Sequence, residues 1–452
     1  MSEATSNELK RIDWSECCGF TRLFRSFKMA IHWPALCLAF FGVVLTYGSG
    51  RLLDAMWANS CSPAVSTDGS ILEVEVFAGG GRQAVKEWTK GLGEPEKINR
   101  SGVFEMFLKQ MRTSVNHILA AVVGLSLTGV IAGVSALFLA PAWLFAMHFG
   151  YAVLFGILVL AIWSLFGGAC CRVAALRATR DERIGMGEAL TFAKGRFLNF
   201  FFAPLMPLMV ILGIGLFLFL GGLIGWIPWV GEVIVGLLFF LVLLAGFALA
   251  FVIIGAAAGG SLTFPTVAVE GSDAFDAFSR TYSYIYAKPW RTALYMLVAI
   301  GYGAICLLFV KFFVRLMLWA ASLFLGFSMN WGTAAVEKGQ PTDVSKLHAI
   351  WQAPTLSGEG SFWGSFDEVK LANISWFAQL LVRGWVYLLW ALVAAFAISF
   401  FYSASTVIYL LLRREVDLTD VEDVYFEDLP AEETAAAPPT APEGGTSLPV
   451  IP

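Results

Sequence analysis

The sequence predicts an all-α integral membrane protein with six or seven transmembrane helices, and three observations carry that expectation. Of the 452 residues, 58% are hydrophobic and only 14% charged, at a mean hydropathy of +0.72, a balance foreign to soluble domains. Apolar runs long enough to span recur along the chain, where a hydrocarbon core of about 30 Å asks for about 20 residues of helix. The runs are continuous instead of alternating, which excludes a β-barrel.

Residues 1–29 form a polar tail carrying Lys10, Arg11, Arg22, Arg25 and Lys28. Phe20, Leu23, Phe24, Phe27 and Ile31 share one helical face there, so an interfacial helix is expected, with Phe24, Phe27 and Trp33 as anchors. The run at 30–53 exceeds a signal-peptide core and reads as a retained anchor. The transmembrane region extends over 30–412 and carries two extramembrane insertions, 58–114 and 328–378. In the first, alternation at 71–77 suggests one short strand, and Phe104, Phe107, Leu108 and Met111 an amphipathic helix. Further spans are expected at 143–169, 198–224, 230–258, 292–310 and 383–412, and 115–140 is a seventh run of sufficient length.

The stretch 262–291 holds most of what is specific. Phe275, Phe278, Tyr282, Ile285 and Tyr286 fall on one face opposite Asp276 and Arg280, and Lys288, Trp290 and Arg291 precede the next apolar run. An interfacial helix feeding a span is expected, with Phe278, Tyr282, Lys288, Trp290 and Arg291 at the headgroup level. The basic segment 171–197 offers a similar device in Leu190, Ala193 and Phe197. Interfacial helix plus hairpin therefore occurs three times, as pseudo-repeats near 18–170, 187–258 and 272–412.

Arg172, Arg177, Arg180, Arg183, Lys194 and Arg196 place the 171–197 segment in the cytoplasm by the positive-inside tendency. Seven full crossings would put the N-terminal tail on the opposite side from that segment. Six crossings keep both termini cytoplasmic, with 115–140 shallow, re-entrant or an incomplete span. The location expected is a cell membrane, specifically a bacterial inner membrane.

Chemistry is sparse. The four histidines are far apart and show no metal-ligand spacing, the cysteines form no CxxC, and no phosphate loop or basic nucleic-acid stripe is present. No cofactor, no nucleic acid and no enzymatic activity are expected. Lys311 and Arg315 interrupt an apolar stretch four residues apart, where a cation at mid-bilayer costs about 2.5–3.5 kcal/mol. They read either as the far membrane boundary, with 316–327 along the interface, or, with Glu232 and Arg383, as a lipid or solute site. Beyond 412 the tail 413–452 is first acidic and then Ala/Pro-rich, the latter part expected to be disordered. Asp420, Asp423, Tyr425 and Phe426 are candidates for docking a protein partner, or the chain's own basic segment.

Pro265, Val269, Glu270, Ala274, Phe278, Ser279, Trp290 and Arg291 give an order of features that resembles the membrane domain associated with glycerophosphodiester phosphodiesterases and related multi-pass bacterial membrane domains. The resemblance covers roughly 172–297 and implies a fold; the phosphodiesterase activity of that family sits in a separate barrel that this chain has no room for. Two functions are expected from these features: membrane organisation or scaffolding with partner recruitment, or a transporter or lipid-handling protein. Contact with the lipid bilayer is common to both.

Overall fold

The computed structural model describes residues 19–57, 62–65, 71–92, 99–329, 347, 350–354, 376–419 and 425. A 3₁₀ turn, Gly19–Phe24, leads into the short α1, Arg25–Ala30. Helix α2, Trp33–Met56, begins on Pro34, whose missing N–H is not needed in a first turn. The first insertion contributes α3, Glu73–Gly91, and then α4, Val103–Val123, and α5, Leu127–Met147, precede α6, Phe149–Thr179. Short helices α7, Met186–Gly195, and α8, Phe197–Phe202, enter a second hairpin of α9, Met206–Ile224, α10, Val230–Leu237, and α11, Phe239–Gly259. The chain continues through α12, Thr263–Glu270, and α13, Ala274–Ala287, into two long helices, α14, Pro289–Met329, and α15, Trp376–Val416.

Seven helices among the described residues are long and apolar enough to cross a bilayer. Helix α2 packs on α6, α9 on α11, and α14 on α15, and a short helical segment precedes each pair, so the threefold reuse of one device is visible in space.

The run at 115–140 is not one span. At Gly124 the helix stops, Leu125 takes a left-handed φ of 51°, and the Ser126 hydroxyl caps α5 by accepting from the Gly129 N–H at 3.1 Å. Asp54, near the end of α2, accepts from the Phe104 N–H at 2.9 Å and from the Tyr151 hydroxyl at 2.9 Å. The end of α2 and the starts of α4 and α6 are thereby tied together. The chain passes directly from α5 into α6, so the α4–α5 hairpin enters and leaves by one side. Helix α5, the second arm of this hairpin, is one of the seven helices long and apolar enough to span.

The strand expected at 71–77 is instead the start of α3. The Glu75 carboxylate accepts from the Leu72 N–H at 3.1 Å, closing the first helical turn, which outweighs the local alternation. Among the described residues, sheet is confined to β1, Ala64–Val65, paired antiparallel with β2, Asn99–Arg100. The buried Glu73 carboxylate clasps this insertion to the bundle, accepting from the Ala64 N–H at 2.9 Å and from Trp143 Nε1 at 3.2 Å.

Other boundaries shift for plain reasons. Much of the basic 171–197 segment is the end of α6 and then α7, so several of its cations sit on helices. The run at 230–258 is divided at Leu238. Residues 316–327, expected along the interface, continue α14 without a break, and no Gly or Pro falls between Lys311 and Leu325.

The core sits where α2, α6 and α15 meet, and small residues there admit rings. A Cβ at Gly42 would press on Trp163, one at Gly167 on Tyr402, and one at Gly168 on Phe200.

Candidate functional site

Phe40, Val43, Val44, Tyr47 and Arg51 lie along one face of α2, at helical spacing. Phe104, Leu108 and Arg112 do the same on α4, and Gly384, Tyr387, Leu388 and Ala391 on α15. These three stripes enclose a groove of about 700 Å³. Its wall is aromatic, Tyr47 meeting Phe104 at 5.7 Å and Trp390 at 6.3 Å edge to face. Its lining also carries charge: Arg51 lies 3.6 Å from Glu105, both well exposed, and Arg112 lies two turns further along α4. A pair so exposed contributes at most about 1 kcal/mol, which leaves both cations open to a stronger anion.

The α4 stripe continues through Val115 and Leu119 into a second groove of about 390 Å³. Its other walls include Met296 and Gly303 of α14 and Phe400, Ala404 and Ile408 of α15. The two grooves thus follow one another along the same two helices, α4 and α15. Lys311 Nζ donates to Asn116 Oδ1 at 2.9 Å.

The four residues named from sequence as a polar site do not converge on one cavity. Lys311 bonds Asn116 of α4; Arg315 follows Val314, which packs with Leu318, Trp351, Val386 and Val393; Arg383 precedes Val386 near the start of α15. Glu232 is on α10 of the second hairpin, and among the described residues no ion pair joins it to the other three. Arg51 and Arg112, the cations that line the larger groove, are not among the residues singled out from the sequence. The signal that could have found Arg112 is the spacing of four in Phe104, Leu108 and Arg112.

At the opposite end of the bundle, the stretch 262–291 forms a second cluster. Glu270 ends α12, and Gly271 follows with a left-handed φ of 63°. The Glu270 carboxylate accepts from the Tyr409 hydroxyl at 2.9 Å, lies 2.8 Å from Arg413 Nε, and pairs with Arg280 at 3.5 Å. Arg280 also holds Asp276 at 2.9 Å. Asp417 accepts from Tyr284, whose hydroxyl is pushed up to about 12 by burial and by that carboxylate.

The expected interfacial anchors divide. Trp33 and Trp290 are 73% and 87% exposed, as an outward position requires, and Lys288 is exposed. Phe24 meets Tyr302 at 4.9 Å, Phe27 meets Phe396 at 5.8 Å, and Arg291 pairs with Glu415 at 2.8 Å. The aromatic face of α13 is divided: Tyr282 donates to the Val252 carbonyl at 2.7 Å and Tyr286 stacks on Phe251 at 3.7 Å, both toward α11, whereas Phe275 is exposed and Phe278 packs on Tyr282 of its own helix at 4.3 Å. Gly255 and Gly259 on α11 leave room for Tyr282 and Ile285.

Tyr425 returns to this face. Its N–H donates to the Val269 carbonyl at 2.9 Å, and its carbonyl accepts from Arg172 at 2.8 Å. Its ring lies under the Arg196 guanidinium at 4.6 Å and above Gly271. The partner candidates Asp420, Asp423 and Phe426 lie outside the described residues. No group of three or more metal-ligating side chains occurs among the described residues. Comparison with protein families, with curated proteins and with solved structures returns no match in any of the three.

Proposed function

We propose that the chain is a non-catalytic, lipid-handling membrane protein in which the groove between α2, α4 and α15 receives a phospholipid. The acyl chain lies along Phe40, Val43, Tyr47 and Trp390, and Arg51 and Arg112 meet the phosphate. The observation that carries this reading is one cavity of about 700 Å³ whose lining is apolar and aromatic apart from Arg51, Glu105 and Arg112, two cations to one anion, the division of chemistry that suits a phospholipid. In this reading both termini lie on the cytoplasmic side, and Arg51 and Arg112 face the opposite leaflet.

Native mass spectrometry of the detergent-purified chain tests it. The wild type should retain anionic phospholipid through delipidating detergent, and Arg51→Gln with Arg112→Gln should lose it by at least tenfold, as should Val43→Trp, which fills the groove. Equal retention by all three proteins, or none by the wild type, removes the reading.

A second reading, membrane organisation with recruitment of a partner, is favoured by the α9–α11 hairpin, whose apolar side chains are exposed nearly throughout. Its test is whether the chain holds a stoichiometric protein partner when extracted from native membranes.

A further inference from the structure

We propose that the notch between α6, α7 and the α12–α13 turn is a recognition site for an extended aromatic and acidic peptide, and that the segment around Tyr425 is its detachable resident. The proposal stands apart from the lipid reading, since no residue is shared with either groove.

The notch grips main chain first. The Tyr425 N–H is read by the Val269 carbonyl and its carbonyl by Arg172, so both main-chain groups of this one residue are held, the kind of contact that strand addition uses. It then reads a ring: the Arg196 guanidinium covers one side of Tyr425, and Gly271 forms the floor. Any Cβ at Gly271 would occupy the place of the ring, and its φ of 63° suits glycine on its own account.

Both arginines are held by the body of the protein as well as by the peptide. Arg172 donates to the Ala268 carbonyl at 3.0 Å and lies 4.3 Å over the Phe192 ring. Arg196 donates to the Gly271 carbonyl and lies 5.7 Å from the same ring. The site is therefore built before the peptide arrives, so little ordering is required of the site on binding. Charge agrees: Asp423, Glu427 and Asp428 flank Tyr425, and Arg172, Arg177, Lys194 and Arg196 belong to the receiving segment. Helix α15 ends at Val416, so the peptide is tethered by a few residues and a free competitor meets a high local concentration.

Hydrogen exchange on the full chain in nanodiscs tests the grip. The Tyr425 amide should exchange at least tenfold slower than in a free peptide of residues 418–430, and Arg196→Gln should remove most of that protection. Gly271→Val should do the same, but it strains the turn, so Arg196→Gln carries the decision. Detachability is tested by adding the labelled 418–430 peptide to the full chain bearing Tyr425→Ala. Binding should be saturable and at least tenfold weaker for the peptide carrying the same Tyr425→Ala change. An unprotected amide, protection indifferent to Arg196→Gln, or a vacated notch that takes no peptide would each overturn the proposal, the last by making the contact a fixed part of the fold.

Discussion

The second hairpin is more apolar than the first and yet far less buried. A third of the apolar window is buried in α2 and in α6, against 6% in the segment containing α9 and 11% in α11. The difference lies in what the glycines meet. Gly42, Gly167 and Gly168 each receive an aromatic ring from a neighbouring element, whereas Gly213, Gly215, Gly221 and Gly222 of α9 face open space. Where lipid offers no hydrophobic gain for helix association, close fit is what joins helices; the first hairpin has it along both helices, the second only near the end of α11, where Gly255 and Gly259 receive Tyr282 and Ile285. The second is held at its root, through α12 and α13.

The largest effect should come from cutting that root. Glu270→Ala leaves Arg413, 10% exposed at its side chain, without its carboxylate, and breaking such a pair costs about 3–5 kcal/mol. The expected outcome is protease cleavage near 260–273 in detergent while the α2–α6–α15 core stays resistant; unchanged digestion would mean the second hairpin is held elsewhere. Next, Gly167→Leu should destabilise by about 1–3 kcal/mol through overpacking against Tyr402, and Gly213→Leu should be near neutral. Thermal unfolding of the two variants side by side measures this, and equal losses would erase the distinction between the hairpins.

Asp54→Ala should cost about 1–2 kcal/mol by removing the N-terminal cap of α4 and the partner of Tyr151. Exchange at the Phe104 amide would report it, with α9 and α11 unaffected. The smallest effect concerns pH. Burial, then the charges of Arg177 and Arg183, hold His32 below its ordinary 6.5. The folded chain thus resists a proton that the unfolded chain accepts. The associated stability is complete above about pH 6.5 and is lost as pH falls through the depressed value. His32→Gln should flatten that dependence in a melting series from pH 7.5 to 5, and the loss should be felt in the first hairpin, since α9 and α11 contain no histidine.

Class and repeat were legible because hydropathy and the 3.6-residue period act locally. The span expected at 383–412 falls inside α15 for that reason, whereas 143–169 is split at His148 between the end of α5 and α6. The partners of a face were not legible. Tyr282 has the spacing of a lipid-facing residue, and the distant Gly255 makes room for its ring against α11. The same holds for the groove, whose walls come from 40–51, 104–112 and 384–391 and meet only through tertiary packing. The strand at 71–77 failed where a single side-chain bond, Glu75 to the Leu72 N–H, decided the conformation.

The turn at Leu125 has a topological consequence. Because α4 and α5 return the chain to the side they started from, they contribute an even number to the count of passages. Excising 103–147 as a unit and rejoining the ends should leave every later segment on its present side of the bilayer. Excising α2 alone should invert them all.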